Sequence, residues 1–234
     1  MYHRVLLKIS GEALSSETAA LCAETIDRTA ATIAELHRRG VEIGIVVGGG
    51  NILRGRSASH MERNRADHMG MLATAINALA LQDALEKLSV PCAVLSAIDM
   101  HRICAEYTAR DAHRLLSEGV VVVFACGTGS PFFSTDTGAS LRAAEIRADV
   151  LLLAKNIDAV YSADPRRDPS AVPYAHLTYD RVVAEHLQAT DLTAITMCQE
   201  QHIPIHVFAL DKILDVFDGK DTGTVIDDGL GVES

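Results

Sequence analysis

Residues 120–137 read VVVVFACGTGSPFFSTDT. Six apolar residues in a row, without the apolar–polar alternation of a half-exposed strand, predict a strand buried on both faces, as in a mostly parallel sheet. The run breaks into glycines and hydroxyls at Cys126, and a helical stretch follows over 138–147. Ser134, Thr135, Asp136 and Thr137 are all chemically able to cap that helix. Outward from this unit, similar apolar runs recur at 5–9, 41–47, 150–154, 205–208 and 224–226, with a weaker one at 93–95. Between the first two, Cys22, Ile26, Ala30, Ile33 and Leu36 return every three or four residues, and Gly40 follows as a helix stop. Strands alternating with helices predict an α/β fold, a three-layer α/β/α sandwich around a central, mostly parallel sheet.

Composition narrows the class. The 234 residues carry 21 Lys+Arg against 31 Asp+Glu, a formal charge of −10, which argues against a nucleic-acid or membrane-surface partner because both usually require a basic field. A 48% apolar content is that of a globular chain, and at this length roughly 70% of the unfolded surface can be buried without staples. No 18-residue apolar run is present and the N-terminal residues lack a secretory h-region, so neither a membrane span nor a signal peptide is expected. The five cysteines are odd in number, scattered, and never C-x-x-C; reduced thiols and a cytoplasmic location are expected, with no cysteine zinc site. The histidines show no H-E-x-x-H spacing. Residues 69–81 (MGMLATAINALAL) are apolar almost all round; such a helix is either a central core element or packs one face on a second subunit. Residues 162–173 are the most loop-like stretch, too short for an interdomain linker, and we expect one domain over 1–234, with two lobes divided near residue 150.

Four loops carry candidate chemistry. Lys8 ends the first strand and is followed by Ser10 and Gly11; it is either a phosphate clamp at the carboxyl end of a strand or a solvated strand-end lysine. After the second strand, Gly48-Gly49-Gly50-Asn51 and then Arg54 let a backbone approach an anion and add a planar fork for its oxygens. In the third loop, Asp136 is a helix cap or a carboxylate that orients Lys8 or a metal. The fourth loop, 155–165, offers Tyr161 to stack on a base and Asp164 to accept hydrogen bonds, or is a plain surface turn. Neither a P-loop (G-x-x-x-x-G-K-S/T) nor G-x-G-x-x-G occurs, which counts against both common phosphate signatures.

Taken in order, LLKISGEAL (6–14), IVVGGGNILRG (45–55), ADHMGMLATAINALALQDAL (66–85), GTGSPFFSTDT (127–137), DAVYSADP (158–165) and HLTYDRV (176–182) resemble the bacterial uridylate (UMP) kinases of the amino-acid-kinase family, over nearly the whole chain. The GGGN and Thr-Asp elements alone fit carbamate, acetylglutamate or aspartate kinases of that family as well. The resemblance implies phosphorylation of UMP by ATP with Mg²⁺ in pyrimidine nucleotide synthesis, by a cytoplasmic homohexamer under allosteric control, with UTP a candidate inhibitor. It implies that Lys8, Ile9, Ser10, Gly11 and Gly50 line the ATP phosphates and that Asn156, Tyr161 and Asp164 lie at the adenosine end. It places Gly49, Asp67, Thr128, Gly129, Ser130, Pro131, Phe132, Phe133, Ser134 and Thr135 around UMP, with the acceptor and oligomer side in 1–150 and the ATP side in 151–234. Arg54 falls between the nucleotides, so that Lys8, Arg54 and Asp136 form the catalytic set. Asp67 is read as a ribose acceptor or as a surface ion pair with the nearby Arg63 and Arg65. The rival activities are a small-acid kinase of the same fold and a nucleotide-sensing subunit without turnover. Three departures stand out. Ser130 replaces the usual Asn, while Cys126 and Ala159 replace Gly, so a positive φ at Ala159 would strain it. The segment 15–25 lacks the usual glycines, so GTP activation is expected to be weak or absent.

Overall fold

The computed structural model describes residues 2–53 and 61–229. In chain order the main elements are β1 (Arg4–Ile9), α1 (Ala23–Arg38), β2 (Glu42–Val47), α2 (Arg63–Lys87), β3 (Cys92–Ser96), β4 (Ala105–Glu106), α3 (Ala109–Ser117), β5 (Val121–Ala125), α4 (Thr135–Glu145), β6 (Val150–Lys155), β7 (Val160–Tyr161), β8 (Pro173–Tyr174), β9 (His176–Thr178), α5 (Tyr179–Ala184), α6 (Leu192–Glu200), β10 (Ile205–Ala209), α7 (Ile213–Phe217) and β11 (Thr224–Asp227). Among the described residues nine strands form one sheet in the order β4-β3-β5-β2-β1-β6-β10-β11-β9, and β7 pairs with β8 in a small hairpin. All neighbours in the large sheet are parallel except β10 and β11, so the mostly parallel sheet read from the continuous apolar runs is present, with a reversed edge. The two-residue and three-residue strands were not legible as apolar runs because they are too short to show a period.

Alternate residues of the central strands feed two separate cores. Val5, Leu7 and Ile9 pack with Ile26, Ile33, Ala75 and Leu81 of α1 and α2, and with Ile213 and Phe217 of α7. Leu6, Leu151 and Leu153 pack on the other side with Ala139 and Ala143 of α4, Leu116 of α3, Val182 of α5 and Ile195 of α6. Helices on both faces explain why the strands are apolar throughout. Gly40, at φ +80°, ends α1 in the left-handed conformation that favours glycine. Ser134 caps α4, its hydroxyl accepting from the Thr137 N–H, which leaves Asp136 free of the capping role. No helix among the described residues is long and apolar enough to cross a membrane.

Register fixes where the loops emerge. Ile9 pairs with Val47 on one side and Ala154 on the other, and Val46 pairs with Phe124. Strands β5, β2, β1 and β6 therefore stop at about the same level, and all four candidate loops leave one edge of the sheet side by side. Open α/β sheets bind ligands at such an edge.

Candidate active site

Lys8 and Lys155 end neighbouring strands and converge on one carboxylate. Lys8 Nζ lies 2.7 Å from Asp136 Oδ1, and Lys155 Nζ lies 3.6 Å from Asp136 Oδ2. Thr190 Oγ1 donates to the same Oδ2 at 2.8 Å, and Lys155 Nζ also donates to the Ala189 carbonyl. All three charged side chains are mostly buried. Burial alone would raise the Asp136 pKa, but the charges of Lys8 and Lys155 outweigh it and hold the carboxyl below its usual 3.8. Burial pulls Lys155 down, only partly countered by Asp136. Two cations thus share one carboxylate at the carboxyl ends of β1 and β6.

A cavity of about 800 Å³ opens on one side of this junction. Of the residues assigned to the acceptor, Gly49, Asp67, Thr128, Ser130, Phe133, Ser134 and Thr135 line it; Gly129, Pro131 and Phe132 do not. Gly129 instead packs against Ala97, where a Cβ would come within 2.8 Å of the carbonyl oxygen, and Phe132 is exposed beneath the Arg63 guanidinium. Gly50, expected on the ATP side, lines this cavity too. Asp67 Oδ2 accepts both from Arg63 Nε and from the Phe132 N–H, each at 2.8 Å. The ion pair with Arg63 is therefore formed, and the same carboxylate also ties the glycine-rich loop to α2. Burial would raise the Asp67 pKa, but these two hydrogen bonds prevail and lower it.

The loops after β1 and β2 meet closely. A side chain at Gly11 would collide with Asn51 Oδ1 and the Gly48 carbonyl, at 2.2 and 2.5 Å, whereas Gly50 faces open space. Ser10 caps the short turn Gly11–Leu14, its Oγ accepting from the Glu12 N–H. Ile9 is fully buried, so only its backbone is available to a ligand. Asn156 Nδ2 donates to Glu12 Oε2 at 2.8 Å, joining the fourth loop to the first. Tyr161 bonds Asp158, and Asp164 accepts from the Arg166 N–H; both stay within their own loop and line none of the three cavities described here. A second cavity of about 450 Å³ lies beyond Asp136 and Lys155, lined also by His186, Gln188, Thr190 and Asp191. A third, of about 620 Å³, lies behind the sheet between α1 and α7 and reaches Lys155 and Asn156. Arg54 lies outside the described residues.

The two positions that replace glycine differ from each other. Ala159 does not take a positive φ, so no strain falls there; Cys126 does, at +66°. Its N–H is held by Thr74 Oγ1 at 2.8 Å, a buried hydrogen bond that offsets the left-handed backbone. Site-shaping residues that were not singled out are Lys155, Thr190, Thr74 and Asn77. Lys155 bore the same signal as Lys8, a lysine closing an apolar strand. Thr74 and Asn77 are polar residues inside the apolar run 69–81, and Asn77, wholly buried, donates to the Gly48 carbonyl and exchanges hydrogen bonds with Asn51.

The sequence model of the amino acid kinase family matches residues 3–209. With that match, the parallel sheet and the lysine–carboxylate junction at its edge, the chain belongs to the amino acid kinase family. Within it, the chain is 47% identical to the uridylate kinase of Saccharophagus degradans, over 96% of this chain and 94% of that protein. It is 48% identical to the uridylate kinase of Pseudomonas aeruginosa PAO1, over 97% of this chain and 96% of that one. The crystal structure of UMP kinase from Bacillus anthracis superposes with a TM-score of 0.94 at 34% identity, covering 97% of each chain.

Proposed function

We infer that this chain transfers the terminal phosphoryl group of ATP to UMP, giving UDP and ADP. The observation that carries the reading is its likeness to uridylate kinases along almost its full length. The 800 Å³ acceptor cavity suits a nucleotide better than a small acid such as carbamate. The retained Lys8–Asp136 pair speaks for turnover rather than sensing alone.

The chemistry follows from charge and position. A phosphate oxygen of UMP, already ionised, forms a bond to the γ-phosphorus while the bond from that phosphorus to the β–γ bridging oxygen breaks. No general base is needed; in-line placement and cancelled charge are. UMP occupies the 800 Å³ cavity, with the peptide groups of 127–135 and the α4 N-terminus toward its anionic end. Asp67 keeps Oδ1 for a ribose hydroxyl. The ATP phosphates cross the Lys8, Gly11 and Lys155 region, and both ammonium groups face the transferring group, where developing charge makes them most effective. Asp136 draws both lysines to one point and offsets the repulsion between them. Arg54 is assigned the same neutralising role by its place in the motif, and Asn156, Tyr161 and Asp164 stay assigned to the adenosine end, in the lobe formed by 151–234.

Magnesium enters as part of the donor substrate. Among the described residues no group of three His, Cys, Asp or Glu side chains could hold a metal, and Asp136 is committed to Lys8, Lys155 and Thr190. That donor set fits an ion carried by the ATP phosphates, which Mg²⁺ binds while keeping several waters.

The chain also self-associates in this reading. Met69, Leu72 and Ile76 project from one side of α2 at 39, 48 and 46% exposure, a stripe suited to a second copy; six copies is the expectation carried by the resemblance. The pyrimidine pathway, the cytoplasm, inhibition by UTP and weak activation by GTP belong to the same proposal. The deciding experiment is UDP formation from UMP, ATP and Mg²⁺, with CMP and carbamate as controls and GTP added in a parallel series. Turnover of carbamate but not UMP would overturn the assignment.

A further inference from the structure

Arg142 lies within α4 at 4% exposure. A guanidinium so buried is costly unless every side is answered. Its Nη1 pairs with Glu145 Oε2 at 2.5 Å, its Nη2 donates to the Gly127 carbonyl at 3.0 Å, and its plane sits 3.8 Å from the centre of the Tyr107 ring. The Tyr107 hydroxyl donates to the same Glu145 oxygen at 2.6 Å. Burial, helped by that carboxylate, pushes the Tyr107 phenol up, so it remains a donor.

The carbonyl held by Arg142 belongs to the pivot between β5 and the acceptor loop. Cys126 and Gly127 are both left-handed, at φ +66° and +59°. The Cys126 N–H is fixed by Thr74 of α2, from one face of the sheet; the Gly127 carbonyl is fixed by Arg142 of α4, from the other. Glycine is the residue that most easily lets an adjoining peptide plane turn over. A turned plane would aim the Gly127 carbonyl dipole into a cavity built for an anion. Because the amide is planar and trans, holding that carbonyl turns the Thr128 N–H away from the guanidinium.

We propose that Arg142 is a positioning residue for the phosphoryl acceptor: it locks the Gly127–Thr128 peptide so that Thr128 presents its N–H to bound UMP, its hydroxyl being held by the Ser130 backbone. The proposal rests on the acceptor cavity taking UMP.

Arg142→Lys keeps the charge but loses the fork that reaches Glu145 and Gly127 together. Its UMP dissociation constant, by calorimetry, and its KM for UMP should rise about tenfold, the scale of one charge-assisted hydrogen bond. Its kcat and its KM for ATP should stay within about twofold, since the lysine junction is untouched. Tyr107→Leu, which removes the ring but not the Gly127 contact, should lower Tm and leave UMP affinity unchanged. On the unmodified chain, hydrogen exchange should show the Thr128 amide protected by UMP and not by ATP, a readout independent of whether the variant folds. If Arg142→Lys binds UMP as the parent does, or weakens both nucleotides equally, or the Thr128 amide ignores UMP, the positioning role is wrong while the UMP assignment stands. A parent chain that binds no UMP at all would overturn both.

Discussion

The acceptor side and the donor side of this site are built differently. Around the proposed acceptor cavity four residues of the loop are tied to other elements, Cys126 to Thr74, Gly127 to Arg142, Phe132 to Asp67 and Ser134 to Asp191, while Thr128 and Ser130 bond each other. On the donor side, the Tyr161 hydroxyl and the Asp164 carboxylate find their partners, Asp158, Arg166 and Arg167, within 158–167 and on the exposed surface. Bonds that are local and solvent-exposed open at low free energy, whereas those anchored in a buried layer open only with that layer. The proposed acceptor site is therefore formed in advance of its ligand, while in the proposed donor loop, anchored through the Val160 N–H to Thr224, the Tyr161 and Asp164 side chains keep exposed contacts that they can exchange. Between them stands the Lys8–Asp136–Lys155 junction, which belongs to both.

The junction gives the largest expected effect. Lys8→Ala should lower kcat by more than about a hundredfold, the scale of losing one preorganised charge aimed at the transition state. Stability should fall far less, because Asp136 keeps Lys155 at 3.6 Å and the Thr190 hydroxyl at 2.8 Å. A kcat within about threefold of the parent would mean that Lys8 supplies under 1 kcal/mol to the transition state, and the junction would no longer join the two sides. Next in size, Asp67→Asn should raise the KM for UMP about tenfold and leave that for ATP alone: the amide keeps the carbonyl but weakens both the Phe132 and Arg63 contacts. Equal effects on both nucleotides would erase the contrast between a preformed acceptor wall and an adaptable donor loop.

Much of this was legible in the residues, for identifiable reasons. The central strands, buried on both faces, announce themselves as runs such as Val120 to Ala125, and their loops carry glycines where backbones meet, as Gly11 does against Gly48 and Asn51. The motif 127–135 supplies five of the seven assigned acceptor residues that reach one cavity, Gly49 and Asp67 joining them from the loop after β2 and from α2, while Gly129, Pro131 and Phe132 of the same motif do not line it. What stayed hidden are pairings between distant segments. Thr190 meets Asp136 across 54 positions and Asn77 meets Gly48 across 29, and neither has a local period to betray it. Arg142 is the sharpest case: charges spaced along a helical run, here Arg142, Glu145 and Arg147, read as a solvated face, yet Arg142 is buried because Tyr107 and Glu145 enclose it. The donor residues illustrate the converse. Tyr161 and Asp164 are conspicuous in sequence, but the Tyr161 hydroxyl and the Asp164 carboxylate bond near neighbours in their own loop.

Acid stability tests the junction from another direction. Asp136 has its pKa lowered below 3.8, net of burial, by Lys8 and Lys155. A carboxyl lowered on folding contributes stability that is present above its unfolded value and lost as pH falls through the folded one. Asp136→Asn should therefore be less stable than the parent at pH 7, with two lysines left facing each other. The gap should close as pH drops below about 3.8, the ordinary Asp value. Urea midpoints measured from pH 7 down to pH 2 would show it; a gap that stays constant would mean the carboxylate's charge is not what stabilises the junction.

The smallest effect belongs to the donor loop. Tyr161 Oη donates to Asp158 Oδ1 at 2.8 Å, and Tyr161→Phe removes only that exposed bond and leaves the ring in place for a base. Exposed hydrogen bonds contribute on the order of 1 kcal/mol or less, so the KM for ATP should move about two- to threefold, with the KM for UMP and kcat unchanged. A tenfold change in the ATP value would mean that the hydroxyl is as firmly preset as the Asp67 carboxylate. The asymmetry between the two sides would then lie in which residues line the cavities and not in how rigidly they are held.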